Sequence, residues 1–206
     1  MSAARIELHR GDLPATVRFT GAIAIDTETL GLRPHRDRLC VVQISAGDNT
    51  AHLVQIAANR QPAPRLCAIF EDPALQKIFH FARFDVAVLK HNLGADLRNV
   101  YCTKIASKLA RTYTDRHGLK DLTAELIGLE MSKQQQSSDW AAETLSAEQQ
   151  AYAASDVLHL HTLKARLDMM LARQGRTELA ARCFAFLETR AALDLAGFED
   201  MDIFAH

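Results

Sequence analysis

The chain has 206 residues, 48% apolar and 24% charged, which supports a packed core and excludes a disordered chain. A net charge of −1 argues against a strongly basic nucleic-acid binder but leaves local basic charge open. No apolar run approaches the ~20 residues that cross a bilayer, and the charged stretch from Arg5 to Asp12 is no signal peptide, so no membrane partner and a cytoplasmic location are expected.

Val17 to Phe19 is predicted as a short first strand and Ala22 to Asp26 as the next. A polar loop with Pro34 leads to an apolar run, Leu39 to Ser45, that reads as a strand. Gly47-Asp48-Asn49 is a turn signal, which makes Thr50 to Val54 the partner strand of a hairpin. Short helical turns at Pro64–Phe70 and Pro73–Gln76 precede a short strand, Lys77 to His80. Phe81 to Leu93 has helical spacing and Gly94 as C-cap. Val100 to Cys102 reads as a strand, and Thr103 to Ala110 as a helix capped by Thr103. Leu119 to Ile127 is a helix stopped by Gly128, and Met131 to Trp140 is a glutamine-rich loop. Ser146-Ala147-Glu148-Gln149 is a capping box that opens a long helix reaching at least Met170. A last helix spans about 177–196. The pattern predicts an α/β fold, a mixed sheet with helices packed on it, in one domain over 1–206.

Cys40, Cys67, Cys102 and Cys183 are widely spaced, lack the C-x2-C pattern of zinc sites, and are expected as reduced thiols. From Lys90 to Lys133 eight basic residues face five acids, a modest local excess. His159 and His161, two apart on a helix, face apart and read as structural or exposed. No G-x-G-x-x-G or G-x-x-x-x-G-K-[ST] motif is present, which argues against dinucleotide and nucleoside-triphosphate chemistry.

The informative stretch is Ile23-Ala24-Ile25-Asp26-Thr27-Glu28. Strand side chains at i and i+2 leave the same face, so Asp26 and Glu28 crowd one spot at the end of an apolar strand. Two such anions repel and lose hydration, and a divalent cation with oxygen ligands compensates them. Solvated acids at a strand end are the plainer alternative. Asp85 falls in the first turns of a helix among apolar neighbours, where a charge is unusual unless paired. Tyr152 and Asp156, four apart, share one helix face with small residues between them.

This set resembles the DEDD family of 3′-5′ exonucleases, in its tyrosine subclass, and short ribonuclease D-like proteins within it. Asp26-x-Glu28, His80-x-Ala82-x-x-Asp85 and Tyr152-x-x-x-Asp156 are similar to the three motifs in order and spacing. Ser138-Asp139-Trp140 and Leu145-Ser146-x-Glu148-Gln149 resemble the segment before the third motif. The likeness runs from about Ala22 to Leu167. It implies a ribonuclease H-like sheet of five strands, three antiparallel and then two parallel, and a catalytic core of about 17–170 with no additional helical nucleic-acid-binding domains. It also implies a metal-dependent 3′-5′ exoribonuclease that removes 5′-mononucleotides by a two-metal-ion mechanism.

By the same resemblance, Asp26, Glu28, Asp85 and Asp156 hold two divalent cations, Mg²⁺ or Mn²⁺, and Tyr152 orients or deprotonates the attacking water. The partner is a single-stranded nucleic acid 3′ end, RNA favoured over DNA. Thr27, Leu30, Phe81, Lys133 and Gln136 are the candidate substrate contacts. Leu30 and Phe81 either stack on a terminal base or belong to the core, and Lys133 either meets a phosphate or is a solvated loop lysine. Arg83 and Lys120 are weaker candidates, and His80 fits as a strand-end residue rather than a ligand. Two other readings stay open: an exonuclease acting mainly on DNA, and a nucleic-acid-binding protein of the same fold without catalysis.

Overall fold

A computed structural model describes residues 4–59, 61–132, 134–135 and 137–206. Its strands are β1 (Arg5–Arg10), β2 (Ala22–Thr29), β3 (Leu39–Ser45), β4 (Thr50–Gln55), β5 (Gln76–Phe79) and β6 (Val100–Cys102). They form one sheet in the order β1-β4-β3-β2-β5-β6. The β2–β3 and β3–β4 pairs are antiparallel, and β5 and β6 continue parallel to β2, as expected.

The sheet has six strands, not five. The added strand is β1, which lies parallel to β4 at the edge. Its sequence, Arg-Ile-Glu-Leu-His-Arg, alternates polar with apolar as a half-covered edge strand must, but its polar face masks the signal. Val17 to Phe19 is irregular instead, with Val17 and Phe19 packed against the core.

The helices are α1 (Pro64–Glu71), α2 (Ala82–Leu93), α3 (Thr103–Ala110), α4 (Leu119–Ile127), α5 (Ala147–Leu158), α6 (Leu160–Arg173), α7 (Thr177–Ala185) and α8 (Leu187–Leu193). Ile23 and Ile25 of β2 meet Leu66, Phe70, Val86 and Leu187, which places α1, α2 and α8 on one face. Ala24 points the other way, where Ala154, Val157 and Leu160 of α5 and α6 pack. Because both faces are covered, every residue of β3 is buried, which explains why its run is apolar but for Gln43 and Ser45.

The long helix expected from Ser146 is two helices. His159, with φ −107° and ψ −6°, separates α5 from α6. The capping box forms as expected: Ser146 Oγ accepts from the Gln149 N–H, and Gln149 Oε1 accepts from the Ser146 N–H at 2.8 Å. His161 is structural: its Nε2 lies 3.1 Å from the Ala22 carbonyl oxygen, and a Cβ at Gly47 would meet its ring at 2.9 Å. The last predicted helix also divides, into α7, α8 and a π-helical turn (Asp194–Phe198) that contains Gly197 at φ 92°. Thr103 does not cap α3; its hydroxyl donates to the Phe79 carbonyl at 3.1 Å. All four cysteines are free thiols. Among the described residues no helix is long and apolar enough to cross a membrane.

Candidate active site

Strand parity divides the site between the two faces of the sheet. Asp26 and Glu28 share the Ala24 face and point toward α5. Buried Ala153 and Ala154 let α5 lie close on the sheet, and Asp156 follows two residues later. One carboxylate oxygen from each of Asp26, Glu28 and Asp156 falls in a group whose members all lie within 4.8 Å of one another.

Asp85 arrives from the opposite face. Thr27 has the parity of Ile25 and points toward α2. Its hydroxyl donates to Asp85 Oδ1 at 2.7 Å, and both residues are buried. Asp85 sits in the first turn of α2, where the helix dipole favours a negative charge. The Thr27 side chain is therefore committed to Asp85.

Four carboxyls with little solvent raise one another's pKa. Burial, then the neighbouring Asp85, Asp156 and Glu28, push Asp26 well above the carboxylate range. Burial, then Asp156 and Asp85, push Glu28 up to about 9. Burial raises Asp85 and Asp156 to about 7 each, while the Thr27 hydroxyl opposes the rise at Asp85. Without a cation the site therefore retains protons at neutral pH. An all-oxygen donor set this crowded fits a hard divalent cation, which relieves the repulsion that burial imposes.

Tyr152 stands one turn before Asp156, half-buried, with its ring 6.0 Å from that of Trp140. Burial and the charges of Asp156, Glu28 and Asp26 raise its hydroxyl above the ordinary tyrosine range. Gln149 holds the segment beneath Trp140: its Nε2 donates to Ser138 Oγ at 2.8 Å and to the Asp139 carbonyl at 3.0 Å.

Gln43 is a site residue that motif reading misses. It lies opposite Asp26 in the β2–β3 ladder, is fully buried, and directs Nε2 toward Glu28 Oε1 at 3.4 Å. The available signal was a lone glutamine in the apolar run Leu-Cys-Val-Val-Gln-Ile-Ser.

Leu30 and Phe81 are surface residues, 53% and 44% exposed, so neither belongs to the core. Phe81 adopts the left-handed conformation, φ 72°, which turns the chain between β5 and α2. Lys104 lies over its ring, 4.2 Å from the centroid. Phe81, Lys104 and Lys108 line a cavity of about 560 Å³. Much of the basic excess is spent elsewhere, since Lys90 pairs with Asp96, Arg98 with Glu188 and Arg116 with Asp121. Arg83 binds Asp194 through two nitrogens, at 2.6 and 2.8 Å, rather than facing the acids. His80 is partly buried, its pKa lowered to about 3 by desolvation, and its Nδ1 lies 2.9 Å from the Thr103 hydroxyl. The Thr103 hydroxyl also bonds the Phe79 carbonyl, so His80 and Thr103 tie the end of β5 to the start of α3. Lys133 and Gln136 lie outside the described residues.

Comparison with known proteins places this arrangement. A family model described as 3′-5′ exonuclease matches residues 12–172. Ribonuclease D of Gluconacetobacter diazotrophicus is 34% identical over 169 residues, 82% of this chain and 42% of that protein. The chain thus spans about two fifths of the length of that relative. Among solved structures, Brucella melitensis NrnC with bound Mg²⁺ is 58% identical, with TM-score 0.94, covering 98% of this chain and 99% of the other. NrnC bound to pGG is 59% identical, with TM-score 0.95 and the same coverage. With the family model spanning both β2 acids, Asp85 and Asp156, the chain belongs to the DEDD-type 3′-5′ exonuclease family.

Proposed function

We propose that the protein is a 3′-5′ exoribonuclease that releases 5′-mononucleotides from short single-stranded RNA in the cytosol. The observation that carries this reading is the convergence of Asp26, Glu28 and Asp156 within 4.8 Å, with Tyr152 one turn away. The likeness to NrnC bound to pGG favours RNA, and short RNA, over DNA.

Asp26, Glu28 and Asp156 would hold one divalent cation, and Asp85, whose charge acts on Asp26, would help to hold a second. Such a pair, when bound, lowers the pKa of a water and stabilises the attacking and leaving oxygens of an in-line displacement. Mg²⁺ is the natural first choice for all-oxygen ligands, and Mn²⁺ suits the same donors. Gln43 limits the rotation of the Glu28 carboxylate, and Thr27 fixes that of Asp85. Burial and the neighbouring acids favour the protonated phenol, which suits Tyr152 to orient the attacking water by hydrogen bonding. Exposed Leu30 and Phe81 offer apolar surface to the terminal bases, a contact indifferent to sequence. Lys104 adds positive charge beside that surface for a phosphate.

A 5′-labelled RNA oligomer incubated with Mg²⁺ or Mn²⁺ should shorten stepwise, with 5′-mononucleotides as the product, while matched DNA shortens more slowly. Asp26→Asn should abolish the ladder without unfolding the chain. Equal or faster loss of DNA would favour the DNA reading, and intact 3′ ends with both metals would favour a binding protein.

A further inference from the structure

A second cluster of ligating side chains lies away from the acidic site, on the edge strand. Glu7 and His9, two apart on β1, share a face, and His52 of β4 stands opposite Glu7 in the parallel ladder. His9 Nε2 lies 3.1 Å from His52 Nδ1. His52 Nδ1 lies 3.3 Å from Glu7 Oε2, and His9 Nε2 lies 3.9 Å from the same oxygen. We propose that Glu7, His9 and His52 form a binding site for a borderline-soft divalent metal ion, Zn²⁺ in the first place, that staples β1 to β4.

The geometry carries the assignment. Zinc takes nitrogen and carboxylate ligands at about 2.0–2.1 Å in a tetrahedron, which sets its ligands about 3.3 Å apart. The three separations here bracket that value, so a small rotation of Glu7 completes three corners. Three protein ligands leave a fourth position for water. The side chains retain 27%, 15% and 12% exposure, enough for an ion to enter. Surrounding contacts fix the ligands: Arg5 holds the other Glu7 oxygen at 2.5 Å, the two imidazoles stack with centroids 5.4 Å apart, and the Phe19 ring meets His52 edge-on at 5.7 Å. Two imidazoles select against Mg²⁺, so this site and the all-oxygen acidic cluster take different ions.

The test uses the full chain, stripped of metal and held in excess Mg²⁺ to fill the acidic cluster, then titrated with Zn²⁺ by calorimetry. Wild type and Asp26→Asn should each take up one equivalent, His9→Gln and His52→Gln none, and zinc should raise the melting temperature of wild type only among the first and last two. No uptake by wild type, or one equivalent retained by both histidine variants, overturns the site. Circular dichroism establishes whether the variants fold. Should either fail, Co²⁺ added to wild type decides: intense visible bands of a four-coordinate, nitrogen-ligated ion support the site, and only the weak bands of an octahedral oxygen-ligated ion overturn it.

Discussion

At the scale of single residues, the phenol of Tyr152 is the sharpest case. Burial, then the neighbouring acids, favour its protonated form, which suits it to serve as a hydrogen-bond donor with its ring against Trp140. Replacing it with Phe removes that donor and leaves the carboxylates in place. Tyr152→Phe should therefore slow single-turnover hydrolysis by about 10²-fold, while calorimetry finds Mg²⁺ or Mn²⁺ affinity unchanged. Weaker metal binding would make the tyrosine a ligand instead. The acids themselves were legible in sequence because a charge at an apolar position of a strand or helix demands an explanation. Gln43 was not, because an uncharged amide in a buried strand carries no such demand until its partner Glu28 is seen across the ladder. The commitment of Thr27 to Asp85 was equally hidden, since it depends on two residues 58 positions apart.

Among elements, the strands were read more faithfully than the long helices. Val157, Leu160 and Leu163 keep a helical apolar spacing through His159, so periodicity continues where the backbone breaks. The π-helical turn after α8 has a different setting: Asp194 collects Arg83 from α2 and Arg190 from α8 where that turn begins. Arg83 and Arg190 also donate to the Glu199 carbonyl. Asp194→Asn leaves two partly buried guanidiniums without their carboxylate. It should cost about 2–3 kcal/mol, seen as a fall of about 4–12 °C in the melting midpoint. Unchanged melting would show that the turn is held by its backbone contacts alone.

For the whole molecule, the crowded carboxyls link stability to pH. Their pKa values in the folded state lie above the ordinary carboxylate range, so between about pH 4 and 9 the folded protein binds more protons than the unfolded chain. Stability is then greatest at the acidic end of that window and falls as pH rises toward the Glu28 value of about 9. Thermal melts in chelator should show a lower midpoint at pH 8.5 than at pH 6. Added Mg²⁺ or Mn²⁺ should close the gap, and Asp26→Asn should reduce it without metal. A midpoint that rises with pH in chelator would mean that the acids are not crowded as described.

The division of the site across the sheet has a consequence for how this family can vary. Asp26 and Glu28 look to one side of β2 and Thr27 to the other, so one backbone segment draws acids from both faces, Asp156 from α5 and Asp85 from α2, to one site. Replacing side chains in Ile23 to Ile25 alters packing by degrees. Inserting or deleting a single residue there would exchange the two sides, turning the acids into the α2 layer and Thr27 toward α5. The number of residues in this strand is therefore held more tightly than the identity of Ile23 or Ile25, whose side chains only pack.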